Sequence, residues 1–288
     1  MRIALHDSEN TGYPNLALMK ISASEKGKGN SIEWFNPLYG PYDIVFSSKV
    51  FTWTKKNPYL PVDTLLGGTG SGYDNELPEE VEHICPDYGL YGLKQSYGFL
   101  TRGCPNKCKW CFVPGKEGEI RANADLDEFV KHKEVILMDN NVLAHDHGIE
   151  QIEKIVRLGL RVDFNQGLDA RLIDDPMAKL LGKVKWLHPL RLACDSRAMV
   201  EPVRRAVELL RWHNCTPSQY FCYVLVEDVD DALERVRFLK GIYVYPFCQP
   251  YRDKDGTGPT KKQKDFSRWV NHRAIFRSIT WEEYKGGR

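Results

Sequence analysis

Between Ser96 and Pro250 short apolar runs alternate with amphipathic stretches through six rounds, and no other feature restricts the fold of this chain as strongly. Tyr97–Thr101, Val135–Met138, Arg161–Phe164, Leu187–Ala193, Tyr220–Val226 and Ile242–Phe247 have the length and composition of buried strands. Leu126–Lys133, Ile149–Leu158, Pro176–Leu181, Val200–His213 and Val229–Leu239 fall between them with helical periodicity. Strands joined through helices pair in parallel, so the alternation predicts βαβ units around one parallel sheet, closed or partly closed into a barrel. Chemistry in such sheets gathers at the carboxyl ends of the strands.

The remaining chain divides by composition. Strand-like runs at 2–6, 31–35 and 43–50, with a helix over Asn15–Ser24, make residues 1–73 a small α/β unit. A glycine-rich stretch, 67–72, closes that unit. Asp74–Asp87 follows with six acidic residues and no basic one, so 74–95 reads as a solvated linker. The repeating domain then occupies 96–250, and 251–288 is a basic, helical extension. Across the whole chain Lys+Arg number 40 and Asp+Glu 39, so a polyanionic partner would have to use a local patch. The N-terminus lacks a secretory pattern and no apolar run approaches the roughly 18 residues of a membrane span, which places the chain in the cytoplasm as an expectation.

Of the eight cysteines, three crowd into Cys104-Pro-Asn-Lys-Cys108-Lys-Trp110-Cys111, immediately after the first strand of the series. In a reducing compartment such clustered thiols read as metal ligands rather than bridges. Three soft donors on one short loop suit an iron–sulfur cluster or zinc. A closed zinc site needs a fourth ligand, and the nearest candidates are Cys85 and His132.

Cys104-x3-Cys108-x2-Cys111, with the aromatic Trp110 before the last cysteine, resembles the signature of the radical S-adenosylmethionine enzymes. The resemblance implies a partial (β/α)6 barrel over 96–250. It also implies a [4Fe–4S] cluster held by the three thiolates, with S-adenosylmethionine chelating the fourth iron. A flavodoxin- or ferredoxin-like one-electron reductant is the implied partner, and reductive cleavage to a 5′-deoxyadenosyl radical the implied chemistry. Trp110 and the strand-end residues Asp139, Asn140, Asn141, Asn165, Gln166, Arg191, Asp195 and Tyr245 are the cofactor-binding candidates. Arg191 could meet a carboxylate or pair with Asp163 or Asp195. Cys248 and Cys194, if they face the cavity, are candidate hydrogen-atom donors; buried, inert packing is the favoured reading.

Residues 1–73 resemble a shortened Rossmann-like unit of the superfamily's cobalamin-binding branch, with Ser47, Ser48, Gly67 and Gly68 at the places of cofactor contacts. The ligand-histidine pattern is missing: Asp7-Ser8-Glu9-Asn10-Thr11-Gly12 has Asn10 there, so a relict scaffold is the default and cobalamin the alternative. The tail 251–288 mixes Lys and Arg with Trp269, Phe276 and Trp281, which suits either a nucleic-acid contact or an amphipathic closing helix, the latter favoured. The substrate is not legible. A rival of another class is a zinc-stabilised nucleic-acid-binding protein, and a third possibility is a barrel that keeps its cluster only as a scaffold.

Overall fold

A computed structural model describes residues 1–9, 11–72, 74–217, 219–252 and 257–286. Its N-terminal unit comprises β1 (Arg2–Asp7), α1 (Leu16–Gly27), β2 (Ser31–Trp34), β3 (Ile44–Ser48) and β4 (Leu65–Gly67). The four strands pair in parallel in the order β2-β1-β3-β4. Asn15 starts α1 by accepting the Leu18 N–H at 3.2 Å, satisfying one of the helix's free donors. The links 35–43 and 49–64 carry no helix, so the unit has one helical crossover where a full α/β domain has several.

The acidic segment is only partly the solvated linker expected from its composition. Residues 74–80 are largely exposed, but α2 (Glu79–Glu82) and the residues after it dock against α1. Buried Lys20 pairs with Glu82 at 2.9 Å, and Ser22 and Lys26 both donate to Asp87 Oδ2 at 2.6 Å. Glu128 joins from the other side through His83 at 2.7 Å. The carboxylates are used as ligands for lysines of α1, a pairing that charge counting along one segment does not reveal.

The larger part begins with β5 (Ser96–Gly98) and an antiparallel ribbon of β6 (Thr101–Arg102) and β7 (Arg121–Ala122), with α3 (Val113–Lys116) between them. There follow α4 (Leu126–Phe129), β8 (Glu134–Leu137), α5 (Asp146–Leu158), β9 (Arg161–Phe164), α6 (Asp175–Leu181), β10 (Lys185–Trp186) and β11 (Leu190–Ala193). The series ends with α7 (Val200–Trp212), β12 (Tyr220–Val226), α8 (Val229–Gly241), β13 (Tyr245–Pro250), α9 (Lys261–Asn271) and α10 (Arg273–Ser278). One parallel sheet runs β5-β8-β9-β10 and a second runs β11-β12-β13, so spatial order follows chain order and every pairing is parallel, as helical crossovers allow.

Two expected elements are reshaped. The fourth strand divides at His188-Pro189, where proline has no N–H for the ladder: β10 pairs with β9, and β11 with β12. The Leu168 N–H reaches across the division to the Arg191 carbonyl at 2.8 Å. The helix expected over 126–133 stops at Phe129. Its capping box, Asp125 with Glu128, is formed, but the N–H groups of Lys131 and His132 donate to Ser96 Oγ at 2.9 and 3.0 Å and draw the chain out towards β8.

Strand alternation separates two faces. Leu190, Leu192, Cys194, Cys222, Val224, Val226 and Cys248 pack into a core with Val203, Ala206 and Val207 of α7, Ala232, Val236 and Leu239 of α8, and Phe266 of α9. Arg191, Phe221, Tyr223 and Phe247 occupy the opposite, half-buried face. The tail closes the helical side: Phe266, Trp269 and Phe276 are buried, and Trp269 meets Phe276 and Trp281 with ring centroids 5.0 and 5.8 Å apart. Each buried ring of this kind stabilises the fold by roughly 1.5–3 kcal/mol. The aromatic residues of the tail are thus core, in keeping with a closing helix, while Lys261, Lys262 and Lys264 remain exposed. Residues 253–256, 287 and 288 of the expected extension, Asn10 and Tyr73 lie outside the described residues. Among the described residues no helix is long and apolar enough to cross a membrane.

Candidate functional site

Cys104, Cys108 and Cys111 occupy the loop between β6 and α3, beyond the carboxyl end of β5. Gly103 opens that loop at φ +81°, a left-handed backbone in which an added Cβ would collide with the Glu119 carbonyl. The loop closes on itself: the Cys111 N–H donates to the Cys108 carbonyl at 3.0 Å and the Cys104 N–H to Gly118 at 3.3 Å. Glu117 ties its base, accepting from the Gly103 N–H at 3.1 Å and from Asn140 Nδ2 at 2.8 Å. Lys109 reaches Glu227, just past the carboxyl end of β12, at 2.7 Å, and half-buried Trp110 lies beside that ammonium. The three thiols are half-buried and unbridged. Among the described residues they do not form a trio already drawn into metal-binding geometry, nor does any other set of His, Cys, Asp or Glu.

A polar floor lies against the loop. Asp169 gathers Asn106 Nδ2 at 2.9 Å, Asn141 Nδ2 at 3.1 Å and the Arg171 guanidinium at 2.7–2.8 Å, which together hold its carboxyl below the usual range despite burial. Asn141 Nδ2 also points at Cys104 Sγ, 3.7 Å away. Burial is the main cause of a raised Cys108 thiol, reinforced by Cys111 and opposed by Arg171. Asp139 is buried, and its Oδ1 accepts from the N–H groups of Leu100 and Thr101 and from Thr101 Oγ1 at 2.5–3.0 Å. Asp139 Oδ2 and Asn141 Oδ1 are buried without a hydrogen-bond partner. Burial pushes the Asp139 carboxyl up to about 6.

The other strand-end candidates separate into those near this floor and those away from it. Asn165, half-buried, and Gln166, exposed, follow β9, with the Asn165 N–H on the Leu137 carbonyl at 2.9 Å. Asp195 accepts the Leu225 N–H at 2.8 Å, is raised by burial, and is among the charges felt by Cys108. Arg191 forms an ion pair with Asp163 across the β9–β11 junction and a second contact with Tyr223, so its guanidinium already has a carboxylate. Tyr245 begins β13 at the amino end of the sheet, with Arg273 4.3 Å from its ring centroid, which sets it apart from the cysteine loop.

Strand parity gives Cys194 and Cys248 the buried packing favoured for them from the sequence. Both are on the helix-packed face, at 0% and 1% exposure, beside Cys222. Burial pushes the Cys194 thiol up to about 12 and that of Cys248 higher still. Neither thiol has access to a substrate. Cys85 and His132, the nearest fourth ligands for zinc, have other neighbours: His132 approaches Ser96 Oγ at 3.3 Å, at the amino end of β5, and Cys85 lies by the Phe129 carbonyl at the end of α4.

The N-terminal contacts expected of a cobalamin site do not fit that group. Ser47 Oγ is engaged by His6 Nδ1 at 2.9 Å and Ser48 Oγ by Asn15 Nδ2 at 2.8 Å, and the Lys49 backbone fills the space beside Gly68. Asp169 and Glu117, which organise the floor and the loop, escaped the sequence reading. Asp169 carried a signal, since Asp followed by Ala-Arg is a short-helix cap and it does accept the Arg171 N–H at 3.1 Å.

No family model and no curated protein matches the chain. A solved structure of SuiB from Streptococcus suis bound to S-adenosylmethionine is similar over 64% of this chain and 48% of that one, with 13% identity and a TM-score of 0.45. The match therefore spans about half the length of that protein. A likeness at this level decides neither family nor activity, and the functional reading rests on the residues.

Proposed function

We propose that the chain is a radical S-adenosylmethionine enzyme, its barrel a partial (β/α)6 barrel and its N-terminal unit a relict Rossmann-like scaffold. The observation that carries the reading is the conjunction of Cys104, Cys108 and Cys111 on a loop beyond the carboxyl end of β5 with buried acceptors lacking partners directly beneath it. The donor set fits a [4Fe–4S] cluster: three soft thiols, no fourth protein ligand within their loop, and the Arg171 guanidinium near enough to lower the cost of thiolate charge. When bound, that cluster would supply the electron for reductive cleavage of S-adenosylmethionine to methionine and a 5′-deoxyadenosyl radical.

The protein's own groups then have distinct tasks. Asp139 Oδ2 and Asn141 Oδ1 are acceptors of the kind an amino-acid ammonium requires. Asp169 orients Asn106 and Asn141 while holding Arg171, so loop and floor move as one unit. Phe221, Tyr223 and Phe247, mutually in contact at 5.1–6.1 Å, line the face opposite the helices with surface that excludes water from a reactive radical. Tyr97 and Tyr223, both raised chiefly by burial, also feel the Tyr13 hydroxyl, which brings the N-terminal loop to the same face. The test is anaerobic: reconstitute with iron and sulfide, reduce, add S-adenosylmethionine and assay 5′-deoxyadenosine. The reading requires that product, and stoichiometric zinc with no iron-dependent absorbance and no product would overturn it.

A further inference from the structure

The linker 49–64 carries an aromatic surface that the site above does not use. Phe51 and Trp53 stack with centroids 4.8 Å apart and planes inclined by 14°, yet they remain 41% and 58% exposed. Stacking alone holds such an exposed pair only weakly, so a backbone that fixes both rings adds to its order. Here the backbone holds it. The Thr54 N–H closes a turn on the Phe51 carbonyl at 3.2 Å, and a single Glu9 oxygen accepts from the Phe51 N–H at 3.2 Å and from Thr54 Oγ1 at 2.8 Å.

Glycine brings a second support. Gly70 passes so close that an added Cβ would lie 2.6 Å from the Phe51 carbonyl oxygen, and its N–H donates to Lys49 at 2.8 Å. The rings are therefore fixed before any partner arrives, which reduces the ordering cost of binding.

The surroundings are cationic. Residues 49–64 contain Lys49, Lys55 and Lys56 against Asp63 alone, and Lys55 and Lys56 are exposed. The Arg252 guanidinium stands 4.8 Å from the Trp53 ring centroid. Arg252 follows the carboxyl end of β13, so the rings border the same end of the sheets as the cysteine loop. Thr69, in the glycine stretch that supports the turn, bonds Lys116 of α3 at 2.5 Å. Tyr59, 71% exposed, extends the aromatic series along the linker.

We propose that Phe51 and Trp53, with Lys55 and Lys56, bind single-stranded nucleic acid, bases stacking on the rings and phosphates meeting the lysines. A base offers a flat π face at each nucleotide and a negative charge at each phosphate, which the paired rings and the adjacent pair of lysines on this linker complement. A paired duplex hides its base faces, so the surface selects unpaired strands. The proposal is independent of the cluster chemistry, because it concerns binding alone.

The experiment uses the full chain and a fluorescein-labelled 12-nucleotide oligouridylate, with anisotropy as readout. Trp53→Ala should weaken binding about ten-fold, by loss of one stacking partner, while Trp53→Phe retains most of it. Lys55→Gln with Lys56→Gln, both exposed positions, should lower the slope of log K against log salt by about 1.4. A duplex of the same length should bind more weakly than the single strand. Undetectable binding of the oligonucleotide overturns the proposal, as do equal affinities for wild type and Trp53→Ala, or binding lost only when Lys261, Lys262 and Lys264 of α9 are neutralised.

Discussion

Replacing Asp139 by Asn removes a carboxyl whose ionisation opposes folding as pH rises. In the folded protein the group is 4% exposed, and burial outweighs its three hydrogen bonds to give a pKa of about 6 against the reference 3.8. The folded state therefore keeps a proton that the unfolded chain loses, and stability declines as pH climbs from the unfolded value through the folded one. The full interval amounts to about 3 kcal/mol, of which about 1.4 kcal/mol falls between about pH 5 and pH 7.5. Asn preserves the oxygen that accepts from Leu100 and Thr101 but cannot ionise. Urea midpoints of wild type and Asp139→Asn, measured at both pH values without iron or S-adenosylmethionine, give the comparison. Wild type should lose about 1.4 kcal/mol relative to the variant on going to the higher pH. An identical pH dependence in the two proteins would mean that Asp139 is ionised and solvated in the fold, and the buried acceptor beneath the loop would go with it.

Three further outcomes test the surrounding architecture. Brief alkylation of the metal-free protein at about pH 8 should label Cys104, Cys108 and Cys111 well before Cys194, whose thiolate fraction at a pKa of about 12 is on the order of one in ten thousand; mass spectrometry showing equal labelling would contradict the burial. Gly103→Ala should strain the positive-φ entry to the cysteine loop by about 1–2 kcal/mol and reduce iron uptake more than it lowers the thermal midpoint, with unchanged iron content refuting that hinge. Arg235 is almost fully buried and donates to the Cys194 and Leu225 carbonyls at 2.6 and 3.0 Å, so Arg235→Ala should cost on the order of 3 kcal/mol in urea unfolding, and a loss below about 1 kcal/mol would show those carbonyls finding other donors.

The α/β alternation was legible where strands and helices are long enough to show their period: Tyr220–Val226 reads buried, half-buried, buried along its whole length. Shorter features depended on partners distant in sequence. Nothing near Lys131 announces that Ser96 Oγ will end its helix, and nothing near Glu82 announces Lys20. The cysteine spacing located the loop, but the residues that brace it, Glu117 and Asp169, act through folded contacts at separations of 14 to 63 positions. Cys194 and Cys248 were legible as packing, because they share the parity of Leu192 and Val224 along their strands. The aromatic turn at 51–54 was missed because stacking and exposure together are properties of the fold, whereas Trp269, on a helix with an apolar stripe, was legible as packing.

Electron paramagnetic resonance of the reconstituted, reduced protein, recorded before and after addition of S-adenosylmethionine, bears on the whole account. A [4Fe–4S] signal should shift when S-adenosylmethionine is added, and should disappear in Cys104→Ala, Cys108→Ala and Cys111→Ala. A signal indifferent to S-adenosylmethionine, or one retained in full by any of the three variants, would contradict the account.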